Sequence, residues 1–223
     1  MLRAMRLVRH SKVPVLGVNL GRLGFLAEID PPDLAEALSA IDEHRFTVEP
    51  RSGVQASFGG TDTAAFNDIA LVRIPGLGSS AAVALRVEGN PFVRYAADAV
   101  IVATPTGSTA YSFSAGGPIV SPSAEGMLVT PAAPHSAFNR ALFLSSGEKL
   151  ALDVLPTSGE LAVEADGLVV GHVRSSRRDR SSHGPAPPRR PCRRRRTAGL
   201  SEQTSALRVF DVITWLEGND RGL

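Results

Sequence analysis

An α/β segment followed by an all-β domain is the fold class this sequence predicts, and three observations predict it. Residues 2–44 read in order as helix, apolar strand, loop and helix. After Phe46 short apolar stretches alternate in steps of two between closely spaced turns, which is the pattern of an antiparallel all-β domain. Within that second part Ala99-Val100-Ile101-Val102-Ala103 is apolar without alternation, as expected of a buried strand. A chain of 223 residues with 43% hydrophobic content is enough for one large domain or two small ones with a genuine core.

The elements follow in order. Leu2, Met5, Arg6 and Arg9 fall at helical spacing, so residues 2–10 form a helix. Val13-Pro14-Val15-Leu16-Gly17-Val18 reads as a parallel strand with its proline near the start, where a missing N–H is tolerated. Asp30-Pro31-Pro32-Asp33 opens a helix: an Asp cap, a Pro at the first helical position and an acid in the first turn. Leu34, Leu38 and Ile41 then mark one face of an amphipathic helix ending near His44. Gly59-Gly60-Thr61-Asp62 is a hairpin turn. Val83, Leu85 and Val87 alternate with Ala84 and Arg86 before a second turn at Glu88-Gly89-Asn90-Pro91. Leu150, Leu152 and Val154 alternate next, and Leu161 and Val163 lead to Asp166-Gly167, another tight turn. No internal repeat is visible. Residues 206–215 read as a strand, with their place in the native reading frame left open.

Arg174–Gly199 stands apart. Ten of its 26 residues are Arg and none is Val, Ile, Leu or Phe, so it cannot build a core and is expected to be disordered. A gene of high GC content read out of frame gives this composition, and the scarcity of lysine elsewhere (Lys12 and Lys149) fits such a source. A frame error is therefore favoured over an evolved tail. The formal net charge of +2 rests on this stretch: outside it lie 14 of the 24 basic residues and 21 of the 22 acidic ones, a net of −7. The folded part is acidic, which argues against specific nucleic-acid binding. Cys192, the single cysteine, lies in the same stretch and leaves no intrachain disulfide or cysteine-based metal site. No apolar run approaches the length of a membrane span, and no leader pattern follows Met1–Arg9, so a soluble cytoplasmic protein is expected.

The chemistry-bearing residues sit at strand ends. The buried strand 99–103 empties into Thr104-Pro105-Thr106-Gly107-Ser108-Thr109-Ala110-Tyr111, and Gly116-Gly117-Pro118 closes the loop behind it. Such a loop presents N–H groups and hydroxyls at close approach, as phosphates and ribose hydroxyls require, or is simply a turn-rich connection. Gly107 and Ser108 are its candidate phosphate-facing positions, and Tyr111 can lie flat against a base. Asn67 and Asp68 form a strand-entry turn, or else an amide and carboxylate that together bind vicinal hydroxyls. Asp98 opens the strand that feeds the loop, a place where Asp is commonly a cap or turn residue. His135, with no second ligand at metal spacing, reads as structural. Gly21 and Gly24 form a weak G-x-x-G after the early strand.

Together these segments resemble the bacterial NAD kinases. Asp98 through Pro118 is similar to the family signature, Val15–Leu26 to its early strand-and-loop motif, Phe66-Asn67-Asp68 to an Asn-acidic pair usually written Asn-Glu, and Pro134-His135-Ser136 with Asn139-Arg140 to its later block. The resemblance covers about residues 1–173, and four ordered motifs make it specific. It implies a partial Rossmann-like N-terminal domain followed by a β-sandwich domain. The expected divisions are 1–47 as a remnant of the α/β domain, 48–173 as the β-rich dinucleotide domain, 174–199 as the Arg/Pro-rich segment and 200–223 as an unassigned C-terminal piece.

What the resemblance implies about activity is phosphoryl transfer from ATP or polyphosphate to the adenosine-ribose 2′-hydroxyl of NAD, with a divalent cation such as Mg²⁺ and a homodimeric or homotetrameric assembly. Asn67, Asp68, Asp98, Thr109, Ala110, Tyr111 and Ser114 are its implied NAD contacts, and Asp166 falls on a hairpin near the nicotinamide side. Two departures qualify it. The family's Gly-Gly-Asp-Gly-Thr motif, which supplies an aspartate to the 2′-hydroxyl, is absent. Met1 stands where it would have ended, so an upstream start is expected, leaving the written chain without a catalytic base. The arginine-rich stretch replaces the strands with which the family returns from its β-domain. A non-catalytic dinucleotide-binding protein of the same fold is the alternative. A lipid or sphingoid kinase ranks last, because it lacks the Thr-Gly-Ser-Thr-Ala-Tyr loop.

Overall fold

The computed structural model describes residues 1–8, 11, 13–21, 27, 29–76 and 80–175, together with the backbone of 206–214. Helix α1 spans Leu2–Val8, and a 3₁₀ turn at Pro31–Asp33 leads into α2 at Leu34–Asp42. Twelve strands follow: β1 Ser52–Phe58, β2 Thr61–Ala65, β3 Asp68–Arg73, β4 Ala81–Val87, β5 Asn90–Ala97, β6 Ala99–Ala103, β7 Gly126–Ala132, β8 Leu142–Ser145, β9 Leu150–Val154, β10 Leu161–Ala165, β11 Leu168–Val173 and β12 Ala206–Thr214. Between β6 and β7 lie a 3₁₀ turn at Thr106–Thr109 and the short helix α3 at Tyr111–Ser114.

The strands form two six-stranded sheets, ordered β2-β1-β12-β9-β4-β5 and β11-β10-β3-β6-β7-β8. Every pairing is antiparallel. Inward residues of both sheets meet in one core, with Val54, Val83, Leu85, Leu150 and Leu152 from the first against Ile69, Leu71, Val100, Val102, Val129 and Val163 from the second. That is the expected β-sandwich. Strand β6 is buried at every position, because its outer face also packs, with Ala99, Ile101 and Ala103 meeting Leu128 and covered by Ala115 and Val120. The unbroken apolar run in the sequence is the signature of that double burial. The hairpin turns fall where expected, at Gly59-Gly60, Glu88-Gly89 and Asp166-Gly167, with positive φ at both central residues of each.

The N-terminal segment departs from expectation in two places. Helix α1 forms, and Met5 buries against Phe66; Arg9 and His10 lie outside the described residues. Val13–Val18 does not form a strand; its single ladder contact is a parallel bridge between Val18 and Ile29. A parallel strand needs neighbours on its flanks, and among the described residues Ile29 is the one it finds. Helix α2 forms after its Pro-Pro start, yet its apolar face is uncovered, with Leu38 51% and Ile41 37% exposed. Gly24 of the early glycine pair, Cys192, and the expectation of disorder from residue 176 onward lie outside the described residues. Segment 206–214, read as a strand from the sequence with its reading frame left open, is a central strand of the first sheet. Among the described residues no helix is long and apolar enough to cross a membrane.

Candidate functional site

The Phe66-Asn67-Asp68 turn and the loop after β6 sit back to back, and Thr104 joins them. It is fully buried. Its N–H donates to the Asn67 carbonyl at 2.8 Å, and its hydroxyl donates to the Phe66 carbonyl at 2.9 Å. The same hydroxyl accepts the Gly107 N–H at 2.9 Å. Gly107 thereby lies against Asn67 so closely that a Cβ would overlap the Asn67 carbonyl group. Backbone cannot yield as a side-chain tip does, so Gly107→Ala is expected to destabilise the protein by about 1–3 kcal/mol. Urea unfolding checks this; an unchanged midpoint would mean that the loop re-seats without strain.

Gly107 and Ser108, the phosphate-facing positions expected from the sequence, spend these groups on the protein itself in this structure. The Gly107 amide is committed to Thr104, and the fully buried Ser108 hydroxyl accepts from Val120 N–H at 3.0 Å while donating to the Val120 carbonyl at 3.3 Å. Both close the loop on itself. Ser112 behaves likewise, its hydroxyl 2.8 Å from that of Thr130.

Asp166 grips the turn from the other side. Its carboxylate is 0% exposed. One oxygen accepts the N–H of Asn67 at 2.7 Å and of Asp68 at 3.4 Å, and the other accepts that of Phe66 at 3.1 Å. The Asp166 N–H donates to the Asp68 carbonyl at 2.9 Å. Arg6 of α1 closes the network, donating from Nη2 to the Asp166 carbonyl at 2.8 Å and from Nε to its carboxylate at 3.4 Å.

Held this way, Asp68 is 4% exposed, and among the described residues its carboxylate accepts no hydrogen bond. Burial, reinforced by Asp166 and then Glu164, pushes its pKa up to about 7. The half-buried Asn67 amide beside it is also unengaged among the described residues. Tyr111, 37% exposed, has its hydroxyl pKa raised by burial and then by Glu164, Asp68 and Asp98, so the hydroxyl lies within electrostatic reach of these carboxylates. Asp98 lies between β5 and β6 and pairs with Arg73 Nε at 2.6 Å. Thr109 and Ser114 make only local bonds, to the Thr106 carbonyl at 3.3 Å and the Ala110 carbonyl at 3.4 Å, and Ala110 joins the two short helical turns half-exposed. An unpartnered acid and amide beside an available aromatic ring can take hydroxyl donors and a flat base together.

Other features lie apart. His135 is exposed, with its N–H on the Ala96 carbonyl at 2.7 Å. A cavity of about 630 Å³ opens behind Phe66, lined by Met5, Val15, Ile41 and Phe46, on the uncovered side of α2. Asp68, Asp98, Glu164 and Asp166 are not among its lining residues, so it is distinct from the site described above. Sequence reading missed Glu164, gave Thr104 only as the first residue of the loop after the buried strand, and gave Arg6 only through its helical spacing with Leu2 and Met5.

Comparison with known proteins bears on the family and the fold. Residues 1–46 match the ATP-NAD kinase N-terminal domain and residues 66–179 the ATP-NAD kinase C-terminal domain. NAD kinase 1 of Streptomyces avermitilis is 40% identical over 208 aligned positions, covering 76% of this chain and 58% of the relative. NAD kinase of Desulforamulus reducens is 45% identical over 175, covering 75% and 59%. The chain thus spans under two thirds of the length of these curated relatives. Yeast NADH kinase complexed with NADH superimposes with a TM-score of 0.64 at 32% identity, over 72% of this chain and 48% of that one. An NAD kinase from Archaeoglobus fulgidus in complex with ATP gives 0.65 at 25% identity, over 98% and 75%.

Proposed function

The chain belongs to the NAD kinase family, and from that premise we propose that it binds NAD for phosphorylation of the adenosine-ribose 2′-hydroxyl, with ATP or polyphosphate as donor. The observation that carries the reading is Asp68, a buried carboxylate without a hydrogen-bond partner among the described residues, beside the idle amide of Asn67 and the half-exposed ring of Tyr111. Vicinal ribose hydroxyls would supply the donors that Asp68 lacks, and adenine would lie on Tyr111, with Thr109, Ala110 and Ser114 bordering it. Asp98, already neutralised by Arg73, would border the site as an acceptor. The solved relatives bound to NADH and to ATP support both ligand classes.

Transfer of this kind depends on positioning and charge neutralisation. A divalent cation would offset charge on the donor phosphates. The described residues do not fit a protein-held cation, since among them no group of three His, Cys, Asp or Glu side chains is placed to hold a metal ion. We therefore derive no step through one. Cytoplasmic location and a homodimeric or homotetrameric assembly complete the reading; the folded part's acidity supports no specific nucleic-acid partner. Dinucleotide binding without transfer is the second reading, favoured by the lack of a Gly-Gly-Asp-Gly-Thr sequence among these 223 residues. Assay of NADP formation alongside NAD binding on one preparation separates the two.

Calorimetry with NAD tests the site. Tyr111→Ala is expected to weaken binding by roughly 1–3 kcal/mol, the worth of a ring stacked on a base. His135→Ala, on an exposed side chain, should leave affinity within about twofold. Equal losses in the two variants would overturn the assignment of Tyr111.

A further inference from the structure

We propose that Asp166 and Arg6 are positioning residues for the dinucleotide site, clamping the Asn67-Asp68 turn to helix α1 so that the turn holds its ligand-binding geometry. The inference rests on the function proposed above and adds residues that the site's chemistry does not itself require. Neither side chain needs to touch the ligand.

The clamp is built from contacts that span the chain. A single buried carboxylate collects three successive amides, 66 to 68. A carboxylate that accepts several N–H bonds fixes their directions together, since its two oxygens are rigidly related. The residue that carries it adopts φ +48 in a two-residue turn, where Asp is among the few non-glycine types that sit comfortably. Its own N–H returns to the Asp68 carbonyl, so the hairpin tip and the turn are bonded in both directions. Arg6 then fixes the tip from α1 by two bonds, while Met5 and Phe66 pack beneath. The turn at 66–68 has no further freedom to tilt: Thr104 holds its carbonyl side and Asp166 its amide side. Displacement of α1 is transmitted through Arg6 to Asp68 by this route.

Charge gives the clamp a signature distinct from mere packing. The groups facing Asp68 are Asp166 from the β10–β11 turn, Glu164 from β10 and Tyr111 from α3, with Arg6 behind Asp166. Removing the Asp166 charge lowers the proton affinity of Asp68. Removing the Arg6 charge leaves Asp166 uncompensated and raises it. A purely structural loosening would expose Asp68 and lower it in both variants.

The test uses the full chain, with NAD as the calorimetric probe and the Asp68 carboxyl carbon followed by NMR titration. Asp166→Asn, which keeps shape but turns a donor toward the N–H groups, should weaken NAD binding at least tenfold and move the Asp68 midpoint down. Arg6→Ala should weaken binding at least threefold and move the midpoint up, and Arg6→Lys should recover part of the affinity. If Asp166→Asn does not fold, the two Arg6 variants decide. NAD affinity within twofold of wild type in Arg6→Ala, or a downward midpoint in that variant, overturns the clamp. If the wild-type chain binds no NAD, the proposed function fails first, and the direction of the midpoint in Arg6→Ala still judges the clamp.

Discussion

A chain ending at residue 175 is expected to show no cooperative thermal transition, because it lacks β12. That strand pairs with β1 at five register positions, from Ser52↔Thr214 to Ser57↔Arg208. On its other side it pairs with β9 at four, from Ala206↔Asp153 to Val209↔Leu150. Among the described residues no other pairing joins β1 and β2 to β9, β4 and β5, so its removal splits the first sheet in two. The inward residues Val54, Ala56, Leu150 and Leu152 would lose the lateral frame that packs them against the second sheet. Each backbone hydrogen bond contributes about 0.5–1.5 kcal/mol net. Two ladders together approach the roughly 5–15 kcal/mol that holds a typical domain folded. A second chain, keeping 206–214 but with residues 176–199 replaced by a Gly/Ser linker of equal length, should retain the transition. Circular dichroism melts of the two decide the matter. A cooperative melt at the full-length temperature in the shorter chain would remove β12 from the native sheet.

This strand shows where the sequence stops being legible. Residues 206–214 read as a strand from their own residue types, but their neighbours lie some fifty and a hundred and fifty positions earlier, and no local pattern records such a register. The sandwich was legible because antiparallel strands half-facing a core alternate, and because positive-φ turns demand Gly, Asn or Asp. Val13–Val18 misled for the opposite reason: an apolar run says that burial is wanted, while pairing depends on partners. The site divides similarly. Asn67, Asp68 and Tyr111 stand out in the sequence because an amide, a carboxylate and an aromatic ring close to strand boundaries are residue types that suit a nucleotide. Gly107 and Ser108 carry the same composition, and what it does not record is that Gly107 lies against the Asn67 backbone and that the Ser108 hydroxyl closes on Val120. The Asp166 network joins positions 100 and 160 residues apart, so an abundant Asp-Gly turn gave no hint of it.

Asp68 is expected to make stability fall between about pH 4 and pH 7, against the usual behaviour of a carboxylate. Its pKa rises from 3.8 to about 7 on folding, with burial as the main cause and Asp166 and Glu164 adding to it. The folded state therefore holds a proton that the unfolded state has released throughout that interval. The contribution is fully present below the unfolded value, is lost as pH rises through 7, and changes no further above that. At about 1.4 kcal/mol per pKa unit the ceiling is about 4 kcal/mol, and relaxation around the buried group brings roughly 1–3 within reach. Every other pH-dependent contribution is common to both proteins when the comparison is with Asp68→Asn. Urea unfolding at pH 5 and pH 8 should show the variant gaining on the wild type by that amount at the higher pH. Parallel curves would mean that Asp68 ionises normally and is not the strained acceptor described here. Ligand supplies the converse. Hydroxyls donating to the anion favour its charged form, so NAD should pull the Asp68 pKa down and release a proton on binding near pH 7. Calorimetry in two buffers of different ionisation enthalpy measures that proton. Its loss in Asp68→Asn, with binding retained but weakened, would fix the ribose on this residue.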